Sequence, residues 1–267
     1  MAGTDETRLA ETQSPREHTQ ESEVTSTMQF IKRTIRDLLR GLGYDITRFK
    51  PQLGVDPFRD MGRLLTGVSQ PTILDVGANE GQSVDRFRAA LPGAVIHSFE
   101  PSPATFAKLM RHCEGLVGVR TWNYGVGAAT GTLPLLENTF PVMSSFLAPG
   151  PTAWGKVAQT TNVPMVTLDA FAGREGIDRI HVLKSDTQGY DFEVFKGAKG
   201  LMRAGRIQLI YYEVIVSAMY QGLPPYYEVF RFLAEQGFLP VSFYRQHHQN
   251  RLLSWMDVLF SAEKQLG

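Results

Sequence analysis

The feature that most constrains this chain is an alternation: from Pro71 onward, short apolar runs are separated by stretches whose apolar residues recur at helical spacing. The runs predict strands at Thr72 to Val76, Ala94 to Phe99, Val119 to Asn123, Ile180 to Ser185, Ile207 to Val214, Leu239 to Phe243 and Val258 to Ser261. Helices are predicted at Ser83 to Ala90, Pro103 to His112, Asp191 to Met202 and Tyr226 to Gln236. Such alternation builds a mostly parallel sheet with helices on both faces, the Rossmann-like α/β class. Ligands of such sheets bind beyond the carboxyl ends of the strands, which makes the turn after the first strand the first place to look for chemistry.

What precedes this pattern differs in kind. Residues 1–25 are rich in Glu, Thr, Ser and Gln and hold almost no large apolar side chain, so a disordered leader is expected. Residues 26–66 read as a helical extension: Ser26 and Gln29 have capping-box spacing, Ile31, Ile35, Leu38 and Leu42 form a stripe, and Gly41 and Gly43 stop the helix. Lys32, Arg33, Arg36 and Arg40 flank the stripe. With only a few turns available, this suits docking on the catalytic domain, or on a partner subunit of a homo-oligomer, better than peripheral contact with an anionic inner-membrane surface. Residues 67–267 are then expected to form one domain.

The 27 basic and 27 acidic side chains balance to a formal charge of zero, leaving no global field to hold a nucleic acid. Cys113 is the single cysteine, so no internal disulfide forms, and no Cys and His cluster has zinc-site spacing. No apolar run approaches the roughly 20 residues that span a bilayer. The N-terminus also lacks a basic start followed by an apolar stretch, and a cytoplasmic protein is expected.

The stretch Thr72-Ile73-Leu74-Asp75-Val76-Gly77-Ala78-Asn79-Glu80-Gly81-Gln82-Ser83 runs from a strand through a glycine-bearing turn into a helix. A dinucleotide site wants G-x-G-x-x-G against a pyrophosphate, whereas here Asn79 stands where a glycine is expected between Gly77 and Gly81. S-adenosylmethionine has no phosphate but carries an ammonium group, which Asp75 at the strand end can bind directly or through water. The second strand closes on Phe99-Glu100-Pro101, where a carboxylate can accept both hydroxyls of a ribose. Asp75, Gly77, Asn79, Gly81, Ser83, Glu100, Pro101 and Asp186 are therefore candidate contacts for S-adenosylmethionine. The alternatives are a nicotinamide-dependent oxidoreductase and a non-catalytic nucleoside-binding module.

These residues, together with Val166-Thr167-Leu168-Asp169, Leu183-Lys184-Ser185-Asp186-Thr187-Gln188-Gly189-Tyr190-Asp191 and Phe195-Lys196-Gly197-Ala198, resemble the FkbM family of methyltransferases over residues 70–245. The resemblance implies a class I methyltransferase fold with an antiparallel last strand, and methyl transfer to a hydroxyl, frequently on a sugar or polyketide-type product. Two positions depart from the family pattern: many members carry glutamate where Gln188 stands, and commonly an aliphatic residue where Ser185 stands. Gln188 cannot ionise, so it is neither a base nor an essential metal ligand.

Methyl transfer to oxygen requires in-line positioning and removal of a proton. Asp186, at the carboxyl end of a central strand, is the leading catalytic candidate as base, metal ligand or cofactor contact, unless it merely caps the following helix. Glu213 closes the next apolar strand and should emerge beside it. The two could hold a divalent cation, but two acids are an incomplete oxygen set and a metal is not favoured. A small-molecule or carbohydrate acceptor is expected to be read by two irregular stretches. One is Glu137 to Pro164, with Phe140, Ser144, Ser145, Phe146 and Trp154; the other is Ile215 to Tyr227, with Met219, Tyr220, Tyr226 and Tyr227. His97 and His181 lie in strand patterns and read as structural, while His247 and His248 read as members of a polar loop.

Overall fold

Each of the seven runs predicted as strands lies in one sheet of the computed structural model, which describes residues 31–43 and 53–263. Numbered in chain order, these are β1 (Thr72–Val76), β2 (Val95–Phe99), β3 (Val119–Trp122), β7 (Ile180–Ser185), β8 (Ile207–Ile215), β9 (Phe238–Gln249) and β10 (Leu252–Ala262). The order across the sheet is β3-β2-β1-β7-β8-β10-β9. β10 runs antiparallel to both neighbours and the other pairings are parallel. This is the Rossmann-like class I methyltransferase topology with an antiparallel last strand. The chain reverses its direction of travel across the sheet between β1 and β7, which opens a crevice at their carboxyl ends.

Both faces of the sheet are apolar, which is why its strands read as continuous hydrophobic runs. Neighbouring residues point to opposite sides. Ile73, Val182 and Leu209 pack with α2 (Pro57–Leu64), α3 (Gln82–Ala90) and α4 (Pro103–His112) through Met61, Phe87 and Leu109. Leu74, Leu183 and Ile210 pack with α5 (Leu168–Glu175), α6 (Asp191–Lys196) and α8 (Tyr226–Glu235) through Phe171, Val194 and Leu233.

The chain divides into two compact units, Met1–Pro51 and Gln52–Gly267. The second includes α2, whose Phe58, Met61 and Leu65 are buried. In the first, residues 31–41 are helical (α1), and Ile31, Ile35, Leu38 and Leu42 are exposed. The expected leader and the Ser26 and Gln29 capping box lie outside the described residues. Among the described residues no helix is long and apolar enough to cross a membrane.

Three elements differ from the pattern reading. The stretch from Glu137 to Pro164 is not wholly irregular, because a second sheet of order β4-β6-β5 forms from β4 (Gly125–Val126), β5 (Gly131–Asn138) and β6 (Val157–Val166). It is hard to read because β5 buries only Leu135 and Asn138, and β6 stays polar and largely exposed from Gln159 to Asn162. The predicted helix Asp191 to Met202 breaks into α6 and α7 (Lys199–Arg203). A β-carbon at Gly197 would overlap the Gly127 carbonyl, and the Asp169 carboxylate accepts from the amides of Gly200 (2.8 Å) and Leu201 (2.9 Å), capping the second piece. Finally, His247 and His248 lie in β9 rather than in a loop. β9 and β10 extend as a hairpin closed by Asn250 and Arg251, both at positive φ (50° and 66°), the geometry of a two-residue primed turn.

Candidate active site

A cavity of about 280 Å³ opens at the carboxyl ends of β1, β2, β7 and β8. Its β1 wall is a turn that only glycine permits. Gly77 has φ +74°, its amide and that of Ala78 donate to the Phe99 carbonyl (3.0 and 2.9 Å), and a β-carbon there would overlap the Asp186 carbonyl. The Asp186 amide in turn donates to the Val76 carbonyl (3.1 Å), so the ends of β1, β2 and β7 are tied together by backbone.

Glu100 stands at the end of β2 and lines this cavity. One carboxylate oxygen accepts from the Asn79 amide (3.1 Å) and the other from the Ser102 amide (2.9 Å). Burial pushes its pKa up to about 7, against the pull of those two amides. Pro101, Asn79 and Gly77 line the same cavity, and the Asn123 side-chain amide braces the corner by donating to the carbonyls of Glu100 (2.8 Å) and Pro101 (3.0 Å).

The remaining turn residues are placed differently. Asp75 is fully buried beneath the turn, accepting from Ser83 Oγ at 2.6 Å and Ser98 Oγ at 3.4 Å, with Lys184 Nζ at 3.0 Å. Lys184 also donates to the Gly77 carbonyl (2.9 Å). Burial works against its charge, and the Asp75 and Asp186 carboxylates more than offset it, holding its pKa above the ordinary value. Asp75 and Ser83 therefore spend their polar atoms on each other and on Lys184. Gly81, at φ +105°, opens α3 against His112. Neither Asp75 nor Gly81 lines this cavity, and Ser83 lines an adjoining one.

On the other side of β1, Asp186 and Glu213 both line the cavity, as the strand ends imply. What joins them is Gln188, whose side-chain nitrogen donates to Asp186 (3.0 Å) and to Glu213 (3.2 Å). Tyr220 donates its hydroxyl to the oxygen of the same amide (2.9 Å), and Ser145 Oγ donates to the Gln188 carbonyl (2.8 Å). Gln188 sits at φ +54°, a conformation costing on the order of 1–3 kcal/mol that persists only where its surroundings enforce it. Burial, then the charge of Asp186, raises the Glu213 pKa well above its ordinary value. Asp191, not Asp186, holds the turn, accepting from Ser185 Oγ (2.5 Å) and the Thr187 amide (3.2 Å). Among the described residues no group of three or more His, Cys, Asp or Glu side chains could hold a metal ion; the third position beside Asp186 and Glu213 is the Gln188 amide.

Of the expected substrate-reading residues, Ser144, Ser145, Phe146, Trp154 and Met219 line the cavity; Tyr220 backs Gln188, and Phe140 and Tyr227 are exposed outside it. Tyr124, Thr105 and Trp255 also line it, although no sequence signal marked them. His181 Nδ1 accepts from the Thr72 amide (2.9 Å), and His97 is buried against Trp122 and Phe171.

The domain described as Methyltransferase FkbM matches residues 75–240. Among curated relatives, 2-O-methyltransferase NoeI of Sinorhizobium fredii is 24% identical over 166 residues, covering 58% of this chain and 68% of NoeI. Methyltransferase sdnD of Sordaria araneosa is 28% identical over 157 residues, covering 48% of this chain and 61% of sdnD. Among solved structures, Aeropyrum pernix fibrillarin in complex with S-adenosylmethionine aligns at a TM-score of 0.44 and 12% identity, over 74% of this chain and 72% of that one. So remote a likeness adds nothing to the strand order, and the identification rests on the family match. That match runs from the end of β1 into β9, taking in the glycine turn, Glu100, the Asp186 to Asp191 turn and Glu213, and it sets aside the oxidoreductase alternative. The chain belongs to the FkbM methyltransferase family.

Proposed function

We propose that this protein is an S-adenosylmethionine-dependent O-methyltransferase acting on a hydroxyl of a sugar or another polyhydroxylated small molecule. The observation that carries the reading is that one cavity holds a backbone-anchored carboxylate, Glu100, on one side of β1 and a bridged carboxylate pair, Asp186 and Glu213, on the other. The Glu100 oxygens each keep acceptor capacity beyond the amide they already hold, which suits the paired hydroxyls of a ribose. Pro101, Tyr124 and Val126 offer apolar surface for a flat base, and Gly77 and Asn79 offer close backbone approach to an amino-acid tail. Asp75, with Lys184, supports the turn from below rather than gripping the tail itself.

S-adenosylmethionine, when bound, supplies an electrophilic methyl group on a sulfonium, whose S–C bond breaks as the new O–C bond forms, leaving the electron pair on sulfur. The chain's own task is to aim the acceptor hydroxyl and take its proton. Asp186, on the cavity wall at the end of β7, is the proton acceptor, and Glu213, whose ionisation burial disfavours, stands across Gln188 from it. Gln188 fixes the two carboxyl groups relative to each other. Trp154, Trp255 and Phe146 supply the aromatic surface on which the apolar face of a sugar ring rests. Transfer to oxygen is also what the name of NoeI states for that relative.

Calorimetric titration of the purified protein with S-adenosylmethionine, S-adenosylhomocysteine and NAD tests the cofactor, and a screen of sugar acceptors for a one-methyl mass gain tests the reaction. Micromolar binding of both sulfur nucleosides and none of NAD is expected. Folded protein that binds neither sulfur nucleoside would remove the reading.

A further inference from the structure

A second cavity, of about 360 Å³, adjoins the first; the two share Gly77, Asn79, Val142, Asp186, Glu213 and Trp255. Asp186, the proton acceptor, and its partner Glu213 therefore stand at the junction. Resting on the methyltransferase reading above, we propose that this second cavity completes the acceptor site beyond the aromatic surface of the first, and that it selects an acceptor carrying an anionic group, carboxylate or phosphate, near the hydroxyl to be methylated.

Most of the polar side chains in its walls already have partners. Lys184 is taken by Asp75 and the Gly77 carbonyl. Asp186 and Glu213, at the junction with the first cavity, accept from the neutral Gln188 amide, and Asp257 lies beside Tyr211. His247 stacks on Trp255 with ring centroids 4.5 Å apart and planes 8° apart, backing one face of that indole. What remains are two guanidinium groups. Arg245, on β9, meets no carboxylate among the described residues. Arg86, on α3, lies 3.9 Å over the Phe58 ring, and its carboxylate partner is Asp56 at 3.4 Å, both side chains about half exposed. An exposed pair of that kind is worth little and yields readily to a better ligand, whereas the ring below keeps the guanidinium plane oriented. Two planar donors without a strong internal partner form a receptor for an oxyanion, and the carboxyl groups at the junction take the neighbouring hydroxyls.

A rival source of the anion is the cofactor's own carboxylate, since Gln82, Ser83 and Arg86 of α3 line the same space. Calorimetry on S-adenosylhomocysteine-loaded protein separates the two, with glucuronate, glucose 6-phosphate and glucose as probes. At least one anionic sugar is expected to bind about tenfold more tightly than glucose or better, and which one does so distinguishes carboxylate from phosphate. Arg245→Ala should abolish that preference, Arg245→Lys should keep part of it, and S-adenosylhomocysteine affinity should stay within about threefold in both. Equal binding of charged and neutral sugars, or no sugar binding to loaded protein, overturns the proposal. So does a tenfold loss of S-adenosylhomocysteine affinity in Arg245→Ala, which would give the arginine to the cofactor. Failure of unsubstituted protein to bind S-adenosylhomocysteine at all is the separate failure of the methyltransferase reading.

Discussion

The two sides of β1 hold carboxylates in different ways. On the β2 side, Glu100 is fixed by backbone amides two residues and 21 residues away, both belonging to the turns that close β1 and β2. On the β7 side, Asp186 and Glu213 are fixed by one side chain, Gln188, itself held by Tyr220 and Ser145 from other parts of the chain. Backbone-anchored groups come with the fold, so they suit a cofactor common to many chemistries. Side-chain anchoring can be rebuilt without touching the sheet, and it suits the part of a site that must differ with the acceptor.

If the division holds, substitutions on the two sides should fail in different observables. Asp186→Asn is expected to show the largest effect, a fall in turnover of about 10²- to 10⁴-fold, with S-adenosylhomocysteine affinity within about twofold of the original. Glu100→Ala should do the reverse, weakening S-adenosylhomocysteine by about 10- to 100-fold through loss of charge-assisted hydrogen bonds, with little change in kcat at saturating cofactor. Calorimetry and single-turnover rates on both variants decide the matter. Equal losses in both observables for either variant would dissolve the distinction.

Titration gives a gentler version of the same test. The Glu100 pKa of about 7 lies above its ordinary value of 4.5. The cofactor-free fold therefore loses this group's contribution to stability as pH rises through that window, because ionisation is disfavoured in the buried site. Ribose hydroxyls need the ionised acceptor, so S-adenosylhomocysteine affinity should fall about tenfold between pH 8 and pH 6. In Glu100→Ala that slope should flatten. A slope that survives the substitution would assign the titration to another group.

The same contrast governs what the sequence could disclose. The β1 turn, Glu100 and the strand-end positions of Asp186 and Glu213 were legible because each depends on local pattern and strand order. Asp75 was legible as a strand-end acid but not as a buried partner of Lys184, since that pair joins residues in adjacent strands. The β5 and β6 strands were hidden by sparse apolar burial, and the break after α6 by a contact between Gly197 and Gly127 that no local spacing reveals. In the sequence Gln188 stands out only as a departure from the family pattern, because its work depends on Glu213, 25 residues away, and Tyr220, 32 residues away.

Tyr220 supplies the smallest expected effect and the finest probe of the side-chain-anchored half. The Gln188 nitrogen donates to Asp186 and Glu213, and its oxygen is then free to receive the Tyr220 hydroxyl. That hydroxyl thus sets which way the amide points. Tyr220→Phe keeps the ring, which is buried with Met143, Ile215 and Met219, and removes one neutral hydrogen bond worth about 0.5–1.5 kcal/mol. Turnover should drop by about two- to tenfold, with S-adenosylhomocysteine affinity unchanged, because a loosened amide blurs the spacing of the two carboxyl groups without touching Glu100. Unaltered turnover would mean that Ser145 and the backbone at residue 188 orient the amide by themselves. A change in cofactor affinity would mean that the two sides of β1 are coupled through the Asp186 turn.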